Sequence, residues 1–268
     1  MTSTDGTAFD FALGALAAMR PRLAAMLRQA EQQRARTAVT LLSGARFKGL
    51  DELLRHLDEL VRAFESDPEL SRLSFLIARS RADFETAVEA TVSGYLAVAS
   101  DAMRDVMEIE NLLLDFATLP DHIDEWLAAD QKTLRRKFGP AEVRARLHAA
   151  GVGRYATTAE SLDYRAHSVA LHVTPHQHPV AAKGCSSEQG WSADAGFWEI
   201  FEHARCLRIG IRSLTSALHP GSAADQLAGQ DLHDVSDAHQ RTQEMQAIYL
   251  AILQASADTH IKGGDGDF

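Results

Sequence analysis

Apolar residues recur at helical spacing along almost the whole chain. Leu50, Leu53, Leu54, Leu57, Leu60, Val61 and Phe64 form one stripe, with Asp51, Glu52, Arg55, Asp58 and Arg62 opposite. Asp67-Pro68 reads as an N-cap followed by the proline of a first turn. The helical pattern resumes from Glu69 to about Thr118, and its weak point, Ser93-Gly94, predicts a kink or break near Gly94. Pro120, Gly139-Pro140 and the Gly151 to Gly153 step then separate three short predicted helices, Asp121–Ala129, Lys132–Phe138 and Ala141–Ala149. Thr158–Val173 is again helical and stops before Pro175, because the residue preceding a proline is pushed out of the α region. A long helix is predicted over Ala193–Leu218, where Ile200, Ala204, Leu207, Ile211, Leu214 and Leu218 step by four and three. The last, about Ser236–Ala255, carries Met245, Ile248, Tyr249, Ile252 and Leu253. Only Val169–Val173 could be read as a strand, and its surroundings favour helix. The pattern therefore predicts an all-α helical bundle. We divide it softly near Glu65–Pro68 into an N-terminal helical module (1–67) and a main bundle (68–258), followed by a frayed tail (259–268).

A chain of 268 residues that is 46% hydrophobic can bury a core without staples. Its formal net charge of −10 argues against a protein that coats nucleic acid non-specifically, since phosphate binding needs clustered cations. A local basic site is compatible with it. KTLRRKFGPAEVRAR, Lys132–Arg146, is such a patch, although a solvated helix face is its plainer reading. Cys185 and Cys206 stand apart with no CxxC, which argues against a disulfide framework and a cysteine zinc site and fits a reducing compartment. MTSTDGTAFD lacks the basic start of a signal peptide, and no apolar run reaches the roughly 18 residues of a membrane span. A cytoplasmic protein, without membrane contact, is expected. Arginine outnumbers lysine and alanine is abundant, as in GC-rich bacterial genomes. No phosphate-binding loop, dinucleotide fingerprint or nucleophile elbow occurs.

The candidate chemistry is concentrated in LDYRAHSVALHVTPHQHPV, Leu162–Val180, which holds four of the 12 histidines: His167, His172, His176 and His178. His172, His176 and His178 could meet one ion if the loop folds back. There is no HExxH and no Glu-x-x-His, so neither a zincin nor a di-iron bundle is supported, and no metal or cofactor is expected. On the predicted helix, Arg165, Ser168 and His172 share a face, with Tyr164 at its edge. Arginine holds phosphate with a fork of donors, and histidine moves protons near neutral pH. The competing reading is a solvent-facing polar side, or a buried histidine with one partner. A second polar line, Arg104, Glu108, Asn111 and Asp115, steps by four, three and four. Exposed, its Arg104–Glu108 pair contributes a few tenths of a kcal/mol. Facing inward, each member needs a partner, and His172 or Tyr164 could be that partner.

SDAMRDVMEIENLLLDFATLPDHIDEWLA, with its R-x3-E helix, and DYRAHSVALH, with Y-x3-S-x3-H, together resemble an uncharacterised bacterial family of HEPN-like helical proteins, the DUF5677 type. The resemblance covers roughly Glu85–Thr174 and rests on Arg104, Glu108, Tyr164, Ser168 and His172. It implies a helical bundle. In the wider superfamily many members are metal-independent ribonucleases of toxin or phage-defence systems, with an R-x4-6-H motif. Arg165 to His172 fits that spacing, and so does Arg212 to His219 in RSLTSALH. Arg165 is followed by Ala166, where the superfamily often has Asn, Asp or His. On this resemblance His172 is the proton-transfer group or a phosphate contact, Arg165 or Arg104 binds phosphate, and Glu108, Tyr164 and Ser168, with Asn111, hold the geometry. RNA is then the expected partner. The alternative is a non-enzymatic interaction or regulatory protein whose polar residues form a buried network. A homo-oligomer is expected.

Overall fold

The computed structural model describes residues 4–42, 44–152 and 193–242. These form α1 (Thr4–Met19), α2 (Pro21–Leu42), α3 (Ala45–Ser66), α4 (Ser74–Val92), α5 (Leu96–Thr118), α6 (Asp121–Leu127), α7 (Gln131–Lys137), α8 (Pro140–Ala149), α9 (Ala193–Leu218), α10 (Ala223–Ala228) and α11 (His233–Thr242), with a 3-10 turn at Ser71–Leu73. The protein is an all-α helical bundle, and among the described residues there is no strand. The predicted helix Thr158–Val173, the loop after it and the chain from residue 243 lie outside the described residues.

Four helices enclose the core. The α3 stripe supplies Leu53, Leu57, Leu60 and Phe64; α4 adds Ile77 and Phe84; α5 adds Met103, Val106, Leu113 and Phe116; α9 adds Phe201, Leu207, Ile211 and Leu214. Connected by short turns, α3, α4 and α5 alternate in direction: Asp58 of α3 meets Arg81 of α4, and Arg79 of α4 meets Asp105 of α5. Helix α9 instead runs parallel to α5. The Cα–H side of Gly196 faces Thr91 and Leu96, and that of Gly210 faces the Glu110 carbonyl and Leu113. A Cβ at Gly210 would lie 3.2 Å from that carbonyl oxygen, so a residue without a side chain lets the two backbones approach. Helix α11 lies along α3, where Gly49 nests against Ala238 and Asp234.

The soft boundary near Glu65–Pro68 is a turn inside this core, since α3 and α4 contribute to one apolar cluster. Asp67 does cap the turn as its position suggests. Its Oδ1 accepts from the Glu69 and Leu70 amides at 2.9 and 3.2 Å, and its Oδ2 lies 2.7 Å from Nδ1 of His219, at the end of α9. The break expected near Gly94 is also there. Gly94 takes φ +80°, the Tyr95 amide donates to the Ala90 carbonyl and the Gly94 amide to that of Thr91, the crossed pair of bonds that ends a helix on a left-handed residue. Helices α6, α7 and α8 fall within two residues of their predicted bounds. The short α10 was not anticipated; Ser222 caps it by accepting from the Asp225 amide.

Helices α1 and α2 meet at a one-residue joint, Arg20 before Pro21. Among the described side chains, α1 buries Leu13 and α2 buries Ala24 and Thr37. The α2 end is fastened to the bundle by Arg34, which bonds Glu89 and Ser93. Among the described residues no helix is long and apolar enough to cross a membrane.

Candidate functional site

The polar line of α5 is partly sunk into the bundle. Arg104 Nη2 lies 3.1 Å from Glu108 Oε1, with side chains 22% and 32% exposed. One turn further, Asn111 is 1% exposed, and Ser100, Glu110 and Asp115 are also buried. The pair is thus the part of this line that reaches water. Further charge lies beside it. Asp105 bonds Arg79 of α4 and holds that guanidinium above its ordinary range, and Arg79 also feels Asp83 and Glu108. Asp83 is the exception in this group. Burial, then repulsion from Asp105, pushes its carboxyl up to about 6, and its Oδ2 is buried with no hydrogen-bond partner.

The far end of the line is structural. Asp115, 1% exposed, accepts from Arg146 Nε at 2.9 Å and from Nη2 at 3.0 Å. Its Oδ2 also lies 2.8 Å from His122 Nδ1. Arg146 donates a third bond to the Lys137 carbonyl at 2.6 Å, and its guanidinium and the His122 ring both rest on Phe138. One carboxylate therefore ties α5 to α6, to the end of α7 and to α8.

Across the seam, α9 brings groups that sequence reasoning missed. Gly196, His203 and Gly210 are spaced by seven, so they share a stripe. Gly196 meets Thr91 and Leu96, and Gly210 meets Glu110 and Leu113, so this stripe lies on the side of α9 that packs against α4 and α5. His203 and Glu199, one turn earlier, are each 1% exposed. The signal was present in GFWEIFEHARC. Glutamate and histidine at i and i+4, set among Phe197, Trp198 and Phe201, leave no solvent side for either to occupy. The apolar stripe Ile200, Ala204, Leu207 runs beside them. Glu202, on another side of α9, lies 2.6 Å from Arg205 and 2.9 Å from His239 of α11.

Of the sequence-derived site, Arg104, Glu108 and Asn111 stand together on α5. Tyr164, Arg165, Ser168 and His172 lie outside the described residues, as do His167, His176 and His178. The second R-x6-H pair comes apart: His219 latches onto Asp67, and Arg212 is exposed. Among the described residues no three His, Cys, Asp or Glu side chains gather to hold an ion. Only part of the basic patch Lys132–Arg146 is an open surface, since Lys137 pairs with Glu125 and Arg146 with Asp115. Gln131, Lys132, Arg135 and Arg136 of α7 line an open cavity of about 470 Å³, and α7 buries none of its residues. No protein-family model, curated protein or solved structure matches the chain.

Proposed function

We propose that this chain is a HEPN-like helical protein of bacterial, cytoplasmic type that cleaves RNA without a metal, in the manner of toxin or phage-defence effectors. The observation that carries the reading is the Arg104–Glu108 pair, partly exposed one turn from the buried Asn111. A guanidinium at such a rim keeps its charge and its fork of donors, and a phosphodiester can compete with Glu108 for them. The imidazole of His172 takes the proton from the RNA 2′-hydroxyl as that oxygen attacks phosphorus; the P–O5′ bond breaks to leave a 2′,3′-cyclic phosphate, and the departing 5′-oxygen takes a proton from water. Arg165 shares the phosphate, and Tyr164 and Ser168 orient the group. The cations of α7 supply the local positive potential that a chain of net charge −10 otherwise lacks.

The test is incubation of the purified protein with labelled RNA, with and without EDTA, beside His172→Ala and Arg104→Ala. Cleavage that survives EDTA and is lost in both variants supports the reading. A second reading, a non-enzymatic regulatory protein, is favoured by the near-complete burial of Asn111, Glu199 and His203, groups no substrate reaches. Intact RNA throughout, with variants that lower the melting temperature instead, decides for it.

A further inference from the structure

Deepening that reading, and resting on it for RNA as the partner, we infer that the outward face of α7 is a docking surface for the phosphate backbone of a single RNA strand, set apart from the Arg104–Glu108 pair. Lys132, Arg135 and Arg136 are spaced i, i+3, i+4, so they stand on one face, and with Gln131 they line one open cavity of about 470 Å³. All three cations are exposed, and α7 buries none of its residues. None of the three is ion-paired among the described residues, whereas the adjoining Lys137 is held by Glu125 and Arg146 by Asp115. Arg72, Arg79, Arg81 and Arg104, in the helices before them, are each held by a carboxylate too. Asp130, at the start of α7, is committed as its cap and accepts from the Thr133 amide at 2.7 Å. Between residues 131 and 146 the sequence has six cations and one carboxylate, Glu142, in a chain whose net charge is −10.

Shape and chemistry select the occupant. A phosphate backbone is bound by clustered cations alone. A protein partner needs aromatic or aliphatic anchors at the centre of its contact, where lysine is depleted, and the lining of this cavity holds no such anchor. A membrane surface is flat and this one is concave. Three cations with no apolar side chain among them to insert are also fewer than lipid-binding clusters carry. The length fits one strand. Seven residues make a helix about 10 Å long, and a strand with a charge every 3.4 Å or so lays about three phosphates along it, one for each cation. Helix α7 is tied to α5 through Arg146 and Asp115, and Asp115 lies about 16 Å beyond Arg104 along α5. The surface is therefore away from the Arg104–Glu108 pair, and the two contacts can be removed separately.

Fluorescence anisotropy of the full chain with a labelled single-stranded RNA tests this. The RNA carries 2′-O-methyl groups, so no 2′-hydroxyl can attack and binding is read apart from cleavage. The logarithm of affinity should fall linearly with the logarithm of salt concentration. Lys132→Gln with Arg135→Gln and Arg136→Gln should reduce that slope by about 2, at about 0.7 for each phosphate contact, and weaken binding about 100-fold at about 0.1 M salt. Glutamine is a good helix former, and melting followed by circular dichroism verifies the fold of the variant. Arg28→Gln with Lys48→Gln and Arg62→Gln removes the same charge from exposed positions elsewhere and should leave the slope unchanged. A wild type that does not bind, a slope unchanged in the folded α7 variant, or an equal loss in the control variant overturns the inference. So does tighter binding to phosphatidylserine vesicles or to polyglutamate than to RNA. Binding that is lost in the α7 variant while unmodified RNA stays intact refutes cleavage and upholds the docking surface. Cleavage of unmodified RNA with KM unchanged in the α7 variant does the reverse.

Discussion

Helix α5 carries two arginine–carboxylate pairs that differ in burial, and the difference makes a quantitative prediction. Asp115 is sealed, and it takes both bonds of the Arg146 fork together with His122. Arg146→Met leaves that carboxylate without its cation. Breaking a fully buried pair costs about 3–5 kcal/mol, and the 27% exposure of the Arg146 side chain brings the expected loss towards roughly 2–3 kcal/mol. For a chain of this size that lowers the melting temperature by about 4–12 °C. Arg104→Met breaks a pair with exposures of 22% and 32% on the two partners, where water can solvate the remaining Glu108, and should cost at most about 1 kcal/mol. Urea unfolding followed by circular dichroism measures both. The proposed activity should order them the other way, with RNA cleavage lost in Arg104→Met and retained by whatever fraction of Arg146→Met remains folded. Equal stability losses in the two variants, or a loss under about 1 kcal/mol for Arg146→Met, would refute the assignment of one pair to structure and the other to function.

Three further outcomes follow from the packing. Alanine at Gly49 would put a Cβ 2.7 Å from that of Ala238 and 2.8 Å from the Asp234 carbonyl, so α3 and α11 must part; a net loss of about 1–2 kcal/mol is expected after the helix-propensity gain, whereas Gly14→Ala, with nothing within 4 Å, should gain up to about 1 kcal/mol, and equal effects in chemical denaturation would contradict this. Burial, and then Arg208, lowers His56 to about 4 from 6.5, so the folded state holds it neutral and stability is lost as pH falls from 6.5 towards 4, by up to roughly 2–3 kcal/mol; His56→Leu should flatten that limb of the pH–stability curve, and an unchanged acid slope would exclude His56 as its source. Asp83 has the opposite sign: a carboxyl raised to about 6 favours folding while protonated and loses that contribution as pH rises through 6, so Asp83→Asn should stabilise by up to about 1 kcal/mol, after solvent screening, at pH 8 and leave melting at pH 4 unchanged.

The helical architecture was legible because the α3 and α9 stripes alternate with polar faces and because proline and glycine mark most joints. Asp67 could be read as a cap since its geometry is local; its bond to His219, 152 positions away, could not. The same distinction divides the site. Arg104, Glu108 and Asn111 share one helix, so spacing alone grouped them. The facing His203 depends on α9 running parallel to α5, and that follows from backbone approach at Gly196 and Gly210, which no periodicity in either segment displays. Asp115 was correctly placed on the line, but its partner Arg146 sits across two short helices whose docking onto α5 is a tertiary event.

The parallel run of α5 and α9 has a consequence during synthesis. A chain leaving the ribosome completes α5 at Thr118 and completes α9 only at Leu218. At ordinary elongation rates of about 5–20 residues per second, the α5 flank that will hold Gly210 waits roughly 5–20 s for its cover. Its apolar side chains, Met103, Val106 and Leu113 among them, can be shielded by α4 in that interval, but the groove for α9 stays open. Slowing translation beyond Leu119 should increase aggregation of the nascent chain more than slowing it beyond Leu218.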